Sequence, residues 1–318
     1  MNPPPFLVSF PNKASFKAAL APQVVASYWG DIEQLIERRL PPAVSVRVVA
    51  CLFGFSPRFV GALNRMPERY YRTFVIRKGA KRREIHAPKV GLKVIQKWIS
   101  WHLAQALNFD DAIYGFVPSR SAPMAAAVHC GAEWVYSVDI ADFFPTTAAV
   151  KVISALRDIG YSEHAASFIS AICCYRCNLA QGSPASPILS NLVLRPYDVR
   201  LKSIAADADA RFTRYADDIV LSGVGTPPDG LEERVRAVIR GGGWRVAEGK
   251  DRLTRLPQRL KVHGLLVRGQ APRLTKGYRN RIRAYRHLLD RSRVNEKDLA
   301  RFRGHLSYAD SVTKIGEQ

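Results

Sequence analysis

Aspartates stand at the ends of two predicted strands in this chain, and they constrain its fold more than any other feature. Asp139 closes the apolar and aromatic run that begins at Trp134, and Asp217 and Asp218 come directly before the run 219–222. Aspartate is a poor strand residue, and a buried carboxylate without a partner is costly. Each carboxylate therefore needs a compensating charge, which is either an arginine or lysine or a divalent cation.

Divalent cations would give these carboxylates a chemistry. Mg²⁺ prefers a few carboxylates, with water and substrate phosphates completing its octahedron. Two such ions about 3.5–4 Å apart clamp the attacking and leaving oxygens of a phosphoryl transfer. Adjacent aspartates on a hairpin turn, facing a third on a neighbouring strand, would supply that site. An isolated Asp-Asp pair is common in solvated turns, but here Tyr215 stands before it and an apolar strand follows.

The charge balance points to a polyanionic partner. The 318 residues carry 48 Lys and Arg against 27 Asp and Glu, a net charge of +21. Such a field attracts nucleic acid first and an anionic membrane surface second. From Leu231 to Gln318 there are 22 Lys and Arg against 9 Asp and Glu, so +13 of the charge lies in this last part.

Several other classes of protein are not expected. No window approaches the roughly 18 apolar residues of a membrane-spanning helix, and residues 1–5 have no secretory-signal pattern. Five cysteines in a long chain do not form a disulfide framework, so a reducing cytoplasm is expected. No fixed-period repeat indicates a solenoid.

The centre of the chain alternates predicted strands with predicted helices. Strands are expected at 134–140, 211–214, 219–222, 244–246 and 262–267. Helices are expected at 148–159, 163–175, 187–204 and 230–240, the third with prolines only near its start. This order predicts an antiparallel sheet covered by helices, an α+β domain.

Prolines divide the preceding segment into short helices, expected at 31–40, 45–53 and 57–65. A β-hairpin is expected from Tyr70 to Ala87 around a basic turn, followed by a helix from Val90 to Leu107. The basic hairpin tip is either a solvated turn or a phosphate contact.

The helix expected at 275–289 has two stripes. The apolar stripe consists of Tyr278, Ile282, Tyr285 and Leu289. The basic stripe consists of Arg279, Arg283 and Arg286. A merely soluble face would interleave acids, which are almost absent before Asp290. The arginine stripe is therefore predicted to lie on a phosphate backbone.

The motifs occur in the order of a known family. Tyr215-Ala-Asp-Asp218 resembles the palm signature of reverse transcriptases, and residues 139–145 resemble their first palm motif. Residues 181–191 look like the motif between the two aspartate sites, residues 83–88 like the fingers strand, and Gly249-Lys250 like the palm lysine segment. The resemblance runs from about Tyr70 to Tyr308. It implies a right-hand polymerase fold with fingers, an antiparallel-sheet palm and a helical thumb.

On that fold the chain is predicted to divide into four parts. These are an N-terminal helical extension at 1–68, fingers with a template loop at 69–133, a palm at 134–256, and a basic, mainly helical thumb at 257–318. Fingers helices are expected to be inserted in the palm at about 148–180.

Within the reverse transcriptases the chain is most similar to the bacterial retron enzymes, although family-marking motifs differ. Their Asn-Ala-x-x-His motif appears as residues 125–129, where Ala125 replaces the asparagine. Their Val-Thr-Gly motif appears as Val262-His263-Gly264. Leu179-Ala180 stands where the family commonly has Leu-Pro.

The resemblance implies an RNA-directed DNA polymerase with two Mg²⁺ ions, for which Mn²⁺ substitutes. It implies a retron enzyme that copies a cognate structured non-coding RNA, primes cDNA from a 2′-OH of that RNA, and serves in antiphage defence with a separate effector protein. Its partners would be the RNA template, dNTPs and the RNA–DNA product, in a bacterial cytoplasm and not at a membrane. The alternatives are another bacterial defence or mobile-element reverse transcriptase, a non-catalytic RNA-binding protein on the same scaffold, and a two-metal nuclease.

Site residues follow from the resemblance. Asp139 and Asp217 would bind both metals, with Asp218 nearby and the backbone of Ile140 within reach. Lys250 would protonate or neutralise the leaving pyrophosphate, unless it is a surface lysine.

Other residues are expected to bind substrate. Phe144 would be the steric gate that excludes a ribose 2′-OH, or else a core residue, and Gln181 would line the nucleotide pocket. Arg83, with Lys78 or Lys81 less directly, would hold the triphosphate, since a guanidinium binds phosphate through a bidentate fork. The loop ending at Arg120 would contact the template or serve only as a connector.

The cysteines and histidines are not assigned to catalysis. Cys173, Cys174 and Cys177 lack the second pair that a zinc site needs and are expected to be buried thiols. The seven histidines form no metal-spaced pair; His129 and His263 lie in the two family-marking motifs.

Overall fold

The computed structural model describes residues 4–78, 81–291 and 294–316, with the backbone alone at positions 78 and 81. In chain order its helices are α1 (Lys13–Ala19), α2 (Pro22–Glu37), α3 (Val46–Phe53), α4 (Pro57–Arg65), α5 (Val90–Ala106), α6 (Ala122–Val128), α7 (Phe143–Thr146), α8 (Ala149–Asp158), α9 (Glu163–Cys173), α10 (Ser186–Asp207), α11 (Leu231–Gly241), α12 (Lys276–Asp290) and α13 (Glu296–Ile315).

Its strands are β1 (Tyr71–Lys78), β2 (Lys81–Pro88), β3 (Trp134–Asp139), β4 (Cys174–Tyr175), β5 (Asn178–Leu179), β6 (Arg211–Tyr215), β7 (Asp218–Gly223), β8 (Arg252–Arg255), β9 (Lys261–Val262) and β10 (Leu265–Leu266). None of the helices within the described residues is both long enough and apolar enough to cross a membrane.

The chain divides into two compact units. The first unit comprises residues 1–109 and 142–196, and the second comprises 110–141 and 197–318. The predicted division into four parts uses other boundaries and stays a prediction.

The first unit is mainly helical and carries the expected hairpin. Serines cap α3 and α4, because Ser45 and Ser56 accept bonds from backbone N–H groups of the first turns. β1 and β2 pair antiparallel along their whole length, from Tyr71 opposite Pro88 onwards. One face of α5 is buried as the apolar spacing predicts, with the exception of Val94, which is exposed.

The second unit is built on a four-stranded antiparallel sheet with the strand order β6-β7-β3-β8. Its core packs one face of this sheet against the β9–β10 hairpin, α6 and α13. The cluster includes Ala126, Val135, Val220, Val262, Leu265 and Val312. The predicted antiparallel sheet with helices, an α+β fold, is confirmed.

Two predicted strands are wrong in detail. Residues 244–246 form only a single bridge, between Val246 and Ile140, and the edge strand is β8 instead. β8 is an edge strand, and its basic side chains protect the exposed sheet edge. Because it therefore has no apolar run, the hydrophobic pattern did not predict it. The strand expected at 262–267 is a hairpin of β9 and β10, since His263 and Gly264 both have positive φ and reverse the chain.

Two helices also differ from expectation. α2 begins nine residues earlier than predicted, with Pro22 in its first turn, where a missing N–H costs nothing. Pro196 lies inside α10, so its prolines are not confined to the start. Leu189, Leu192 and Val193, on the turns before this proline, are buried, and burial of this apolar surface stabilises the helix against the loss of one backbone hydrogen bond.

Candidate active site

The aspartates of the second unit meet at one end of its sheet. β3 pairs with β7 in the register that sets Asp139 directly opposite Asp218. Opposed residues on antiparallel strands point to the same face, with Cβ atoms about 4.5–5.5 Å apart. Asp217 precedes Asp218 in the β6–β7 turn, and its carbonyl oxygen accepts a 3.2 Å bond from the N–H of Ile140. The register thus places the strand-borne aspartate opposite Asp218, as expected, whereas the catalytic roles of the three aspartates stay predictions.

A buried arginine holds the turn that carries Asp217. The guanidinium of Arg214 is fully buried and donates two bonds to Asp198 of α10, at 2.6 and 2.7 Å. A third bond, of 2.9 Å, goes from its Nη1 to the carbonyl oxygen of Ala216. Ala216 has φ of +59°, in the left-handed region that a non-glycine residue rarely adopts. Arg214 therefore stabilises an unusual backbone conformation one residue before Asp217.

The loop that precedes α6 lies against the same turn. The N–H of Arg214 donates to the carbonyl of Ala112 at 2.9 Å, and the N–H of Tyr114 donates to the carbonyl of Arg214 at 2.8 Å. A Cβ atom at Gly115 would stand 2.1 Å from the backbone nitrogen of Ala216. Only glycine permits this approach, so the loop and the aspartate turn form one packed unit.

Arg120, a predicted nucleic-acid contact, turns back onto this loop. Its guanidinium donates to the carbonyl oxygen of Ile113 at 2.7 Å and pairs with Asp111 at 3.0 Å. These contacts give Arg120 a bracing role in the loop. Its contact with nucleic acid stays a prediction.

Lys250 reaches Asp139, as a site lysine should. Lys250 lies in the turn between the bridge at Val246 and β8, where its N–H donates to the carbonyl oxygen of Ala247, and the N–H of Ala247 donates to the carbonyl oxygen of Asp139 at 2.7 Å. The ammonium group of Lys250 forms an ion pair with Oδ2 of Asp139, whose side chain is 10% exposed. The cation that compensates this buried carboxylate in the structure is therefore a lysine.

His263, in the β9–β10 turn, contacts the other opposed aspartate. Its Nδ1 lies 3.1 Å from Oδ2 of Asp218, and its ring lies 5.3 Å from the ring of Tyr215. Asp139 and Asp218 thus each have a nitrogen partner: Lys250 of the predicted palm lysine motif for Asp139, and His263 of the β9–β10 turn for Asp218.

His129 lies in the interior beneath the same strands. Its two ring nitrogens are each 2.7 Å from a hydroxyl, that of Ser222 on β7 and that of Thr213 on β6. Burial, with smaller contributions from His263 and Arg211, lowers the pKa of His129 from 6.5 to about 3. His129 is therefore a neutral crosslink between the two strands that flank the aspartate turn.

Oxygen donors for a divalent cation are available at this end of the sheet. Asp139 and Asp218 share a face, Asp217 adjoins them, and the backbone of Ile140 follows Asp139. Among the residues that the structure describes, no three His, Cys, Asp or Glu side chains gather closely enough to hold an ion by themselves. A small set of oxygen donors fits Mg²⁺, which also takes ligands from water and substrate phosphates.

The first unit carries the residues predicted to bind dNTP. The N–H of His86 on β2 donates to the carbonyl oxygen of Gln181 at 2.7 Å. A Cβ atom at Gly182, whose φ is +125°, would stand 2.9 Å from the carbonyl oxygen of His86. The segment of Gln181 is thus joined to the strand of Arg83, and both side chains reach solvent.

A buried glutamine, Gln96, also holds the segment that contains Gln181 and Ser183. Nε2 of Gln96 donates to the hydroxyl of Tyr71 and to the carbonyl of Ile172, both at 2.8 Å. Its Oε1 accepts a 2.9 Å bond from the hydroxyl of Ser183. Gln96 of α5 therefore links β1 and α9 to Ser183, two residues after Gln181.

Two further predictions concern nucleotide binding. Phe144 is partly exposed and packs on buried Phe143, with ring centroids 5.5 Å apart. Phe143 therefore occupies the core, and Phe144 stays the predicted steric gate. The side chain of Lys78 lies outside the described residues.

Helix α12, which belongs to the predicted thumb, has the two predicted faces. In α12 the buried residue is Ile282, and the rest of the apolar stripe is half-buried. Arg279, Arg283 and Arg286 are exposed, and Arg286 pairs with Asp310 of α13 at 3.0 Å. The amphipathic helix is confirmed, and its binding to nucleic acid stays a prediction.

Sequence reasoning missed the partners of the aspartate turn. Arg214 sits among buried strand residues, and a charge in that position requires a buried counter-charge, which Asp198 supplies. That signal was present in the sequence. His263 was noted only for its motif, and its contact with Asp218 depends on a hairpin that the hydrophobic pattern did not reveal.

An antiparallel sheet with opposed aspartates at its end, together with an exposed arginine face on α12, is typical of a nucleotide-polymerising protein. The family model described as "Reverse transcriptase (RNA-dependent DNA polymerase)" matches residues 76–245. The chain therefore belongs to the reverse transcriptase family, with its right-hand polymerase fold and RNA-directed DNA polymerase activity. RNA template and dNTPs are the substrates that this activity requires.

Within that family the chain is similar to retron reverse transcriptases of bacteria. The retron Ec86 reverse transcriptase of Escherichia coli is 30% identical over 251 residues, which cover 76% of each chain. The retron Mx65 reverse transcriptase of Myxococcus xanthus is 31% identical over 308 residues, covering 87% of this chain and 70% of that one. Among solved structures, a truncated telomerase from Candida tropicalis has a TM-score of 0.47 at 10% identity, covering 70% of this chain and 61% of that one. That likeness is too weak to add to the assignment.

Proposed function

We propose that the chain is a retron reverse transcriptase that copies a cognate structured non-coding RNA into cDNA. The relatives from Escherichia coli and Myxococcus xanthus, similar along most of their length, support this proposal. The proposal includes priming from a 2′-OH of that RNA. It also includes a role in antiphage defence in the bacterial cytoplasm, together with a separate effector protein.

The active site of this proposal is the sheet end of the second unit. Asp139, Asp217 and Asp218, with the backbone of Ile140, would hold two Mg²⁺ ions, for which Mn²⁺ substitutes. The observation that carries the assignment is the register that opposes Asp139 and Asp218. When bound, the ions supply charge stabilisation for the attacking and leaving oxygens of nucleotidyl transfer.

The surrounding side chains have supporting roles in the proposal. Lys250 would protonate or neutralise the leaving pyrophosphate, which is supported by the reach of its ammonium group to Asp139. Arg83 would bind the triphosphate together with Lys78, Gln181 would line the nucleotide pocket, and Phe144 would exclude a ribose 2′-OH.

Nucleic acid would be held by basic side chains outside that centre. Arg279, Arg283 and Arg286 would contact phosphates, which is supported by their exposure on one face of α12. Arg120 would contribute by bracing the loop that contacts the template.

The decisive experiment compares the native chain with Asp217→Asn in dNTP extension of a primer on an RNA template. Removing one metal-binding charge should cost about 3–4 kcal/mol of transition-state stabilisation, or roughly 10²–10³-fold in rate. Asp229→Asn changes an exposed aspartate in the turn before α11, and this matched control should extend normally.

Sequencing the nucleic acid that purifies with each variant tests the retron part. The native chain should carry one structured RNA with DNA copied from it, whereas Asp217→Asn should carry the RNA alone. Unchanged extension by Asp217→Asn would reject the site, and a varied RNA population would favour another bacterial reverse transcriptase.

A further inference from the structure

We propose that His263 is a positioning residue, which holds the carboxylate of Asp218 in its working orientation through a hydrogen bond from Nδ1. The inference rests on the proposed function, because it takes Asp218 as part of the active site. It assigns a role to the residue at which this chain departs from the Val-Thr-Gly pattern.

The geometry defines the direction of the bond. Nδ1 of His263 lies 3.1 Å from Oδ2 of Asp218. An ionised carboxylate only accepts hydrogen bonds, so the proton of this bond is on Nδ1. The side chain of His263 is 6% exposed and that of Asp218 is 35% exposed. The donor is therefore shielded from water, while the carboxylate keeps its other oxygen, Oδ1, for a ligand.

The backbone of His263 is fixed by its neighbours. His263 and Gly264 form the β9–β10 turn, with φ of +48° and +81°. Val262 and Leu265, on either side, are buried in the core cluster of the second unit. Because both flanking residues are anchored, the turn cannot withdraw the ring from Asp218 without exposing apolar surface.

The ring has no competing polar anchor. Nε2 of His263 is buried and has no hydrogen-bond partner within the described part of the chain. Burying an unsatisfied polar atom is destabilising, and a purely apolar side chain at this position would avoid that cost. The bond from Nδ1 to Asp218 compensates for the buried, unsatisfied Nε2. The role of the buried imidazole is therefore to bind that carboxylate.

This bond completes the restraint on the aspartate turn. Arg214 fixes the backbone at Ala216, and the N–H of Ile140 fixes the carbonyl of Asp217. Neither contact acts on the side chain of Asp218, whose orientation is set by His263. Groups that orient oxygen ligands from behind typically affect metal affinity or activity by about 10–100-fold.

Two substitutions separate positioning from packing. Histidine-to-asparagine places an amide nitrogen near the position of Nδ1, whereas histidine-to-glutamine keeps more of the volume but places it near that of Nε2. His263→Asn should therefore keep the bond to Asp218, and His263→Gln should lose it. His164→Ala, an exposed histidine of α9 in the first unit, is the control.

Each variant is measured in three ways: Mn²⁺ binding to the enzyme alone by calorimetry, the Mg²⁺ concentration that gives half-maximal extension, and the thermal unfolding midpoint. We expect His263→Gln to weaken Mn²⁺ binding and raise the Mg²⁺ requirement by about tenfold. His263→Asn should stay within about threefold of the native chain for both, and the KM for primer–template should not change.

The proposal is overturned if His263→Gln binds Mn²⁺ like the native chain, or if both variants lose binding equally while their unfolding midpoints fall together. The first result would show that the hydrogen bond does not affect metal binding by Asp218. The second would show that the ring of His263 contributes only packing. Asp217→Asn separates this failure from failure of the proposed function. If that variant is inactive while His263→Gln is unaffected, the active site stands and only the role of His263 is lost.

Discussion

Several buried polar side chains near the aspartates are matched to partners of complementary chemistry. Arg214 meets the carboxylate of Asp198 in a bidentate pair, and His129 meets two hydroxyls. An unsatisfied buried polar group costs about 1–3 kcal/mol, so each match restricts which residue can stand at its position. The β6–β7 turn is therefore held by polar contacts that an apolar core would not provide.

His129 should make folding stability depend on pH. Its pKa is about 3 in the folded chain and 6.5 as an ordinary histidine, so between these values the unfolded chain binds a proton that the folded chain does not. The contribution of neutral His129 to folding stability is fully present above pH 6.5. It is lost as the pH falls towards 3, at about 1.4 kcal/mol per pH unit. Between pH 7 and pH 5 the free energy of unfolding of the native chain should fall by about 2 kcal/mol more than that of His129→Gln.

Urea unfolding at each pH and constant ionic strength measures this difference. His164→Ala removes an exposed histidine and should keep the pH dependence of the native chain. Parallel pH curves for the native chain and His129→Gln would contradict the prediction.

At the scale of elements, the β6–β7 turn depends on α10, the helix that directly precedes β6 in the chain. Asp198 belongs to α10, and its ion pair with Arg214 ties that helix to β6. The loop at Gly115 packs on the other side of the turn. The position of Asp217 is thus determined jointly by a strand, a helix and a loop.

Arg214→Met should destabilise the chain by about 3–5 kcal/mol, because it removes the guanidinium that pairs with the buried carboxylate of Asp198. Replacing both members, with Asp198→Leu added, should recover much of that loss. Arg234→Met removes an exposed ion pair with Asp207 and should cost less than about 1 kcal/mol. Urea unfolding measures the change in unfolding free energy for all three variants. Equal changes for Arg214→Met and Arg234→Met would show that the buried ion pair stabilises the chain no more than an exposed one.

At the scale of the whole molecule, positive charge dominates. The net charge is +21, and +13 of it falls within residues 231–318, which include the thumb helix α12. Its arginines face solvent while its apolar stripe faces the interior. A protein of this charge binds phosphate backbones with a strong dependence on salt, because binding releases counterions.

Reversing Arg279, Arg283 and Arg286 to glutamate should weaken binding to every RNA–DNA duplex and reduce the salt slope by about one unit per lost contact. Reversing Arg47, Arg58 and Arg65, exposed on α3 and α4, changes the net charge equally and is the control. Binding isotherms at several salt concentrations measure both slopes. Equal slopes for the two triple variants would mean that net charge alone, and not the face of α12, governs binding.

Regular elements were predictable wherever one hydrophobic period dominated. The spacing of α5 and the stripes of α12 follow from the 3.6-residue period, and β3 and β7 follow from short, mainly apolar runs. β8 and the β9–β10 hairpin were not predictable in this way. A charged edge strand and two-residue strands carry too little apolar pattern to distinguish them from loops.

The sequence by itself determined the α+β class, the three aspartates as the centre of interest, and nucleic acid as the expected partner, because strand-borne carboxylates and excess charge are visible in residue order. Only the tertiary structure decided which groups face those carboxylates: Lys250 at Asp139, His263 at Asp218 and Arg214 behind the turn. Pairing between residues tens of positions apart depends on strand register and on hairpin position. These are set by packing of the whole core, and no local pattern encodes them.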